Sequence, residues 1–186
     1  MTELPAVLTA TGERHCNADD VTAYFDSLPA CDIQMLKGRF AGQEILTGHS
    51  LDGSLAAVSW FGKQFDAPDR VHPLLVADSR GRVFPLRPGV IPMAAMTGSI
   101  PIPRVSASAA PGAWSFLGPL VRARRYGARL EERDHRGIRT AAMPYTHKPI
   151  VDVFRAIDDE TVLGMMEYPQ MTRPYFFTLR RERQEY

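Results

Sequence analysis

Cysteine is scarce in this sequence, and paired-cysteine motifs are missing from it. Cys16 and Cys31 are the only two cysteines among 186 residues, and no Cys-x-x-Cys pair occurs. That absence excludes most structural zinc sites, which draw their ligands from such pairs. The first residues also lack the basic segment and apolar run of a secretion signal, so we expect a cytoplasmic protein with free thiols.

A surplus of charge of either sign is missing as well. The chain carries 22 basic and 21 acidic side chains, a formal net charge of +1. Such a balance provides no field that would attract nucleic acid, and acidic residues directly follow the arginine-rich stretch 121–129. We therefore expect no nucleic-acid partner and interpret that stretch as a solvated strand face.

Long hydrophobic runs are absent too. No apolar segment approaches the ~20 residues of a membrane-spanning helix, so integral membrane association is not expected. Apolar residues nonetheless make up 45% of the chain, which excludes global disorder and supplies a sizeable core. The length predicts a single domain covering 1–186.

The common catalytic signatures do not occur. The chain has neither the Gly-x-Ser-x-Gly motif of hydrolases nor the Gly-x-Gly-x-x-Gly motif of dinucleotide-binding proteins. The dipeptide Gly62-Lys63 is not part of a phosphate-binding loop, because Ala57 stands five residues before Gly62 and Gln64 replaces the required Ser or Thr.

Histidines offer only weak support for a cofactor or metal. His72 or His147 could serve as an axial haem ligand, and His49, Asp52 and His72 could together hold a divalent ion. No His-x-His or His-x-x-x-His pair selects these positions. We therefore predict no cofactor and no metal.

Apolar periodicity predicts two helices in the N-terminal third. Residues 18–28 place apolar side chains at i, i+3, i+4 and i+7, and Asn17 or Asp19 can cap the first turn. A similar stripe predicts a second helix over 51–65, with Lys63 on a different face. A short strand is expected around 33–40.

Alternation of period two predicts an antiparallel sheet beyond residue 70. Segments 71–77 and 82–86 are expected to form a hairpin, and the proline-rich stretch 88–119 a long loop. The fold class is therefore mainly β (α+β). Strands spaced about ten residues apart predict a meander in the last third, over 120–132, 137–145, 150–157, 161–168 and 174–181.

Two blocks of the sequence resemble a family of bacterial and fungal proteins. Gly38-Arg39-Phe40-Ala41-Gly42 and Thr47-Gly48-His49-Ser50-Leu51-Asp52-Gly53 are similar to an N-terminal domain named for the motif Gly-x-Trp-x-Gly, assigned here to 18–90. Met143-Pro144-Tyr145 and Lys148-Pro149-Ile150-Val151-Asp152-Val153-Phe154-Arg155 are similar to a C-terminal domain of unknown function, assigned to 120–182. Phe40 stands where the motif has tryptophan. Phenylalanine keeps a large apolar ring at this position but lacks the indole N–H donor.

The resemblance implies a calycin-like β-barrel, related to the fatty-acid-binding and nitrobindin barrels, and no established reaction. Small barrels either fill with side chains or hold one small ligand. We expect a cavity that binds a small lipophilic molecule, such as a fatty acyl chain, a phospholipid or a polyketide-like compound. A filled barrel remains the alternative, and a homodimer is compatible with the sequence. The expected lining residues are Phe40, Trp60, Met143, Tyr145, Phe154, Met165 and Phe177.

Asp152 is the leading candidate for catalysis, because it interrupts an apolar strand. Burial in the cavity would raise its pKa and suit it to act as a general base or a ligand anchor. The alternative is a structural pair with Arg139, Arg155 or a backbone N–H. His49 and His72 are further candidates, although each is compatible with a purely structural role. The alternative function is therefore a cofactor-free isomerase or cyclase that uses the same cavity.

Overall fold

The chain folds mainly as strands. A computed structural model describes residues 5–8, 16–87 and 110–183. In these ranges, two short 3-10 turns cover Ala6–Leu8 and Ile33–Met35. The helices are α1 (Ala18–Ser27), α2 (Ser54–Ala57) and α3 (Ala110–Val121). The strands are β1 (Gly38–Ile45), β2 (Trp60–Ala67), β3 (Arg70–Ala77), β4 (Val83–Pro85), β5 (Glu131–His135), β6 (Ile138–Pro144), β7 (Val151–Ala156), β8 (Thr161–Glu167) and β9 (Tyr175–Arg181).

All of these strands belong to one antiparallel sheet in the order β4-β3-β2-β1-β9-β8-β7-β6-β5. The pairing of β1 with β9, with Glu44 opposite Phe177, joins the N-terminal strands to the C-terminal meander. In a flat sheet β2 and β7 would lie four strand spacings apart, about 19 Å. The side chains of Lys63 on β2 and Asp152 on β7 nevertheless meet at 2.8 Å. The sheet is therefore strongly curled.

The mainly β, antiparallel prediction is confirmed, but the strand ladder does not close as a barrel. Its edges are β4 and β5. Between these edges runs an irregular segment in which Ala128 makes isolated bridges to both Val71 and Tyr145, and Arg122 bridges to Leu86. The predicted strand 120–132 was wrong over most of its length, so single bridges stand where a closing ladder was expected.

Alternation along the strands builds two apolar layers, one on each face of the sheet. Phe154, Met166 and Phe177 point into the concave face. Their strand neighbours Val153, Met165 and Phe176 pack on the convex face, in the same cluster as Val21 and Phe25 of α1. α1 begins as predicted, with the Asn17 side chain accepting from two backbone N–H groups of the first turn.

The predicted helix over 51–65 was wrong except for the single turn of α2. Gly53 and Ser59 adopt φ of 81° and 53° on either side of α2, and Gly62 adopts 150°. A right-handed helix cannot continue through such angles. The aromatic residues from Trp60 onward instead form β2. Similarly, the expected strand over 33–40 is a 3-10 turn followed by β1.

The proline-rich loop predicted over 88–119 is partly a helix. Residues 88–109 lie outside the described residues, and α3 begins at Ala110. Pro111 is tolerated there because the first turn of a helix needs no N–H from that position. Trp114 anchors α3 by packing against Val76 and Phe84 and by donating its indole N–H to the Val58 carbonyl at 2.8 Å.

Both cysteines are free, as predicted. None of the helices in the described parts of the chain has the length and apolar character needed to cross a bilayer. The prediction of a homodimer remains a prediction.

Candidate functional site

A partly open cavity of about 60 Å³ lies on the concave side of the sheet. That volume has room for several water molecules or one small organic molecule. Most of its wall is apolar or aromatic. The lining residues are Leu51, Ser54, Leu55, Val58, Trp60, Lys63, Leu74, Tyr145, Lys148, Asp152, Met166, Tyr175 and Phe177.

Two glycines set the aromatic part of the wall. A Cβ at Gly42 would lie 2.1 Å from the Trp60 ring, and a Cβ at Gly164 would lie 2.4 Å from the Phe177 ring. The absence of a side chain at each glycine lets one ring approach the glycine backbone closely. Trp60 and Phe177 then meet edge to face with centroids 5.8 Å apart, a favourable aromatic geometry.

A buried ion pair forms the polar part of the wall. Lys63 Nζ lies 2.8 Å from Asp152 Oδ2, and the two side chains are 4% and 0% exposed. Lys63 also donates to the Pro73 carbonyl at 3.0 Å and to the Tyr145 hydroxyl at 3.4 Å. Its Nζ lies 4.8 Å from the centre of the Phe177 ring. The sheet therefore delivers a cation, a carboxylate and a phenol to one corner of an apolar cavity.

Burial shifts the pKa values of Asp152 and Tyr145. Desolvation raises the pKa of Asp152, and the nearby Lys63 charge and the hydrogen bonds from Lys63 and Tyr145 oppose that rise. Desolvation and the adjacent Asp152 charge hold the pKa of Tyr145 well above its usual value. Tyr145 therefore keeps its proton and serves as a hydrogen-bond donor.

Two polar atoms of the lining residues are buried without a hydrogen-bond partner among the residues that the structure describes. They are the Trp60 indole Nε1, a donor, and Asp152 Oδ1, an acceptor. An unsatisfied buried polar atom costs roughly 1–3 kcal/mol. A bound molecule with one oxygen function could satisfy such atoms.

A second carboxylate lies behind the cavity wall. Glu44 Oε1 accepts a hydrogen bond from the hydroxyl of Tyr175, which lines the cavity, and another from the backbone N–H of Gly53. Desolvation raises the pKa of Glu44 above its usual value.

A wider cleft of about 640 Å³ adjoins this cavity. Tyr145 and Lys148 line both spaces, so the two spaces lie next to each other at these side chains. The outer cleft also carries Arg133, Arg173 and Glu167.

The predicted site residues fall into three groups. Asp152, Trp60, Tyr145 and Phe177 line the cavity. The second group, Phe40, Met143 and Phe154, belongs to the apolar cluster of the concave face but not to the cavity wall. The third lies elsewhere: Met165 on the convex face, His49 on the far side of Tyr175 and His72 against Tyr126.

The two histidines are placed as structural residues. His49 Nδ1 accepts the backbone N–H of Leu51, and its ring centre lies 5.4 Å from that of Tyr175. The His72 ring stacks at 4.6 Å on that of Tyr126. Burial lowers the pKa of both histidines, so both favour the neutral form.

The partner of Asp152 was not among the residues predicted for it. Arg139 pairs instead with Glu132 at 2.9 Å, and Arg155 lies over Phe25 on the convex face. Lys63 was not predicted as a site residue, because the predicted helix over 51–65 placed it on a different face from the apolar stripe. A lysine between Phe61 and Phe65 in a strand would have been the available signal.

Metal and haem sites find no support in the geometry of the described residues. Those residues contain no cluster of three or more His, Cys, Asp or Glu side chains that could hold an ion. The two histidines considered for haem, His72 and His147, do not line the cavity.

Comparison with known proteins supports the sequence resemblance. Residues 23–81 match the family model described as GXWXG protein, and residues 126–181 match a domain of unknown function, DUF4334. No curated protein matches the chain. The crystal structure of a protein from Thermomonospora curvata superposes with a TM-score of 0.67 at 27% identity, covering 91% of this chain and 90% of that one. Strands β1 and β2 lie in the first matched region and β6 to β9 in the second. The chain therefore carries a GXWXG region followed by a region of the domain of unknown function DUF4334, and both regions contribute to the cavity wall.

Proposed function

We propose that the cavity binds a small, mainly apolar molecule through one oxygen function. The observation that carries this proposal is the Lys63–Asp152–Tyr145 corner in a mainly apolar cavity. A core that served only stability would gain little from a buried ion pair, since apolar residues of similar volume are often as stable or more so. Ligand sites, by contrast, combine apolar walls with a few convergent polar groups.

The volume of the cavity limits the size of the ligand. At about 60 Å³ it is far smaller than the roughly 300–1,000 Å³ of usual drug-sized sites. A small carbonyl compound, alcohol or acid suits it better than a whole phospholipid. A longer fatty acyl or polyketide-like molecule would place its end in the cavity and its body in the outer cleft of about 640 Å³. In calycin-like barrels, small ligands occupy the equivalent space inside a curled sheet.

A second function, proton transfer without a cofactor, is favoured by one observation. Asp152 is fully buried, and its Oδ1 has no hydrogen-bond partner within the described residues. A carboxylate with a free oxygen and a raised pKa has the properties of a general base. An isomerase or cyclase of this kind should lose roughly 10²–10⁴-fold of its turnover in Asp152→Asn.

Cavity-filling variants test the binding proposal. Butan-1-ol and butyric acid serve as probes, and saturation-transfer NMR reports binding. Leu55 lines the cavity, so Leu55→Phe should fill it and abolish binding. Leu120 is 70% exposed on α3 and outside the lining, so Leu120→Phe is the matched control and should bind like the wild type.

The outcomes separate a ligand cavity from a filled core. Binding by the wild type and by Leu120→Phe, but not by Leu55→Phe, supports the proposal. Absence of binding to the folded wild type, or equal binding by Leu55→Phe, overturns it.

A further inference from the structure

Resting on the proposed function, the geometry points to a substrate class: we propose that the cavity takes an aldehyde or ketone and that Lys63 forms an imine with its carbonyl carbon. The inference rests on the position of one primary amine. Lys63 Nζ is buried in the wall of the cavity, with a carboxylate at 2.8 Å and a phenol at 3.4 Å.

The contacts of Lys63 place a proton acceptor directly beside its amine. Its Nζ lies within 5.8 Å of the ring centres of Trp60, Tyr145 and Phe177. These aromatic faces attract the Lys63 cation, and Asp152 Oδ2, 2.8 Å from Nζ, is the group positioned to take a proton from it when a carbonyl compound enters. The neutral amine is the nucleophilic form of lysine.

The three polar side chains supply what imine formation requires. Asp152 accepts a proton from the Lys63 ammonium, and the amine lone pair attacks the carbonyl carbon as the C=O π bond breaks. Asp152 returns the proton to the carbonyl oxygen, which Tyr145 holds by a hydrogen bond, and then takes a second proton from nitrogen. Asp152 finally protonates the hydroxyl, which leaves as water while the C=N bond forms. The sum is ammonium plus carbonyl to protonated imine plus water, with Asp152 ionised again and no oxidant or reductant needed.

Lys148 is the competing amine, because it also lines the cavity and burial lowers its pKa. It also lines the outer cleft. The proposal names Lys63 because Asp152 Oδ2 lies 2.8 Å and the Tyr145 hydroxyl 3.4 Å from its Nζ. The chain has only three lysines, Lys37, Lys63 and Lys148, so chemical trapping can distinguish them.

Reductive trapping tests the inference. The full chain is incubated with butanal and sodium cyanoborohydride, and peptide mapping locates the butylated amines. Lys63 should be labelled roughly tenfold or more faster than the exposed Lys37, because binding holds the aldehyde beside the amine. Asp152→Asn should slow labelling of Lys63 by roughly 10²-fold, because it removes the proton acceptor. The labelling rate of Lys37 should not change.

Controls keep this inference separate from the proposed function. Butan-1-ol has the same carbon chain but no carbonyl group, so it should bind without reacting and should protect Lys63 of the wild type from butanal. Labelling confined to Lys37, Lys148 or the terminal amine, in protein that still binds butan-1-ol, would overturn the imine and leave the binding proposal standing. A folded protein that binds neither probe would overturn both.

Discussion

At the scale of single residues, Lys63 and Asp152 depend on each other to be buried. Each is an ion almost completely removed from water, and each is the other's only oppositely charged partner within hydrogen-bond distance in the described chain. Removing one partner leaves an uncompensated charge, whereas replacing both with apolar side chains removes the desolvation cost of both. Removing one partner is therefore expected to destabilise the fold strongly, whereas replacing both partners with apolar side chains is expected to change its stability little.

Lys63→Met should lower the free energy of unfolding by about 3–5 kcal/mol, because Asp152 then stays buried without its cation. The double variant Lys63→Met/Asp152→Leu should recover most of the lost free energy of unfolding. It should not bind butan-1-ol or butyric acid through a polar group at these two positions. Urea denaturation of the single and double variants measures the difference. A double variant as unstable as the single one would show that the pair stabilises the fold on balance.

Glu44 gives a prediction with a defined dependence on pH. Desolvation raises its pKa above the usual value of 4.5, so the folded state binds this proton more tightly than the unfolded state. Its contribution to stability is full below pH 4.5 and is lost as the pH rises through the folded-state pKa. The stability of wild type relative to Glu44→Gln should therefore fall from acidic toward neutral pH.

Thermal melts of both proteins across that pH range test the sign for Glu44. Gln keeps an oxygen that can accept from Tyr175 and Gly53, so the two structures should remain comparable. Glu132→Gln, which removes a carboxylate that is 53% exposed, is the control. A relative stability that rises with pH would contradict the assignment of desolvation as the main cause.

At the scale of elements, the strands hold the cavity wall through close backbone contacts. Gly42 on β1 admits Trp60, and Gly164 on β8 admits Phe177, because a Cβ at either glycine would overlap the ring. Gly164→Ala should therefore displace Phe177, lower the melting temperature and weaken binding of butan-1-ol. Gly42→Ala should do the same through Trp60.

Gly112→Ala on α3 is the matched control for these glycine variants. A Cβ there meets nothing within 4 Å, and alanine is the better helix former by about 1 kcal/mol. Its melting temperature should stay the same or rise. Calorimetry and probe binding check all three variants, and an unchanged Gly164→Ala would show that the Phe177 ring is not fixed by this contact.

Periodicity predicted the elements that depend on local sequence. The meander strands β6 to β9 were found within a residue or two, because one-residue alternation follows directly from two apolar faces. The stripe over 51–65 failed because apolar spacing does not report φ, and Gly53, Ser59 and Gly62 break a helix through their backbone angles. Asp152 was recognised as a polar residue in an apolar strand, but its partner Lys63 is 89 positions away along the chain (152 − 63) and meets it only because the sheet curls.

At the scale of the whole molecule, the two family regions share one sheet. β1 pairs with β9 over six registered positions, from Phe40 with Arg181 to Ile45 with Phe176. The cavity needs Trp60 and Lys63 from the first region and Asp152 and Phe177 from the second. Neither region alone can bury its apolar face or pair this edge strand.

Fragments 16–87 and 110–183 should therefore not fold separately. Each is expected to show no cooperative thermal transition by circular dichroism, whereas the full chain should melt in one step. A cooperative transition in either fragment would show that its region is an independent domain.

The most direct test of the central claim uses the two tryptophans. Two-dimensional ¹H–¹⁵N NMR gives one indole N–H signal for each, and the two differ in environment: Trp60 lines the cavity, and its Nε1 is buried without a partner in the described chain, while Trp114 Nε1 donates to Val58. On titration with butan-1-ol, the account predicts a saturable shift of the Trp60 signal that clearly exceeds that of Trp114. A Trp60 signal that stays in place at saturating butan-1-ol, in folded protein, would contradict a ligand cavity at this site.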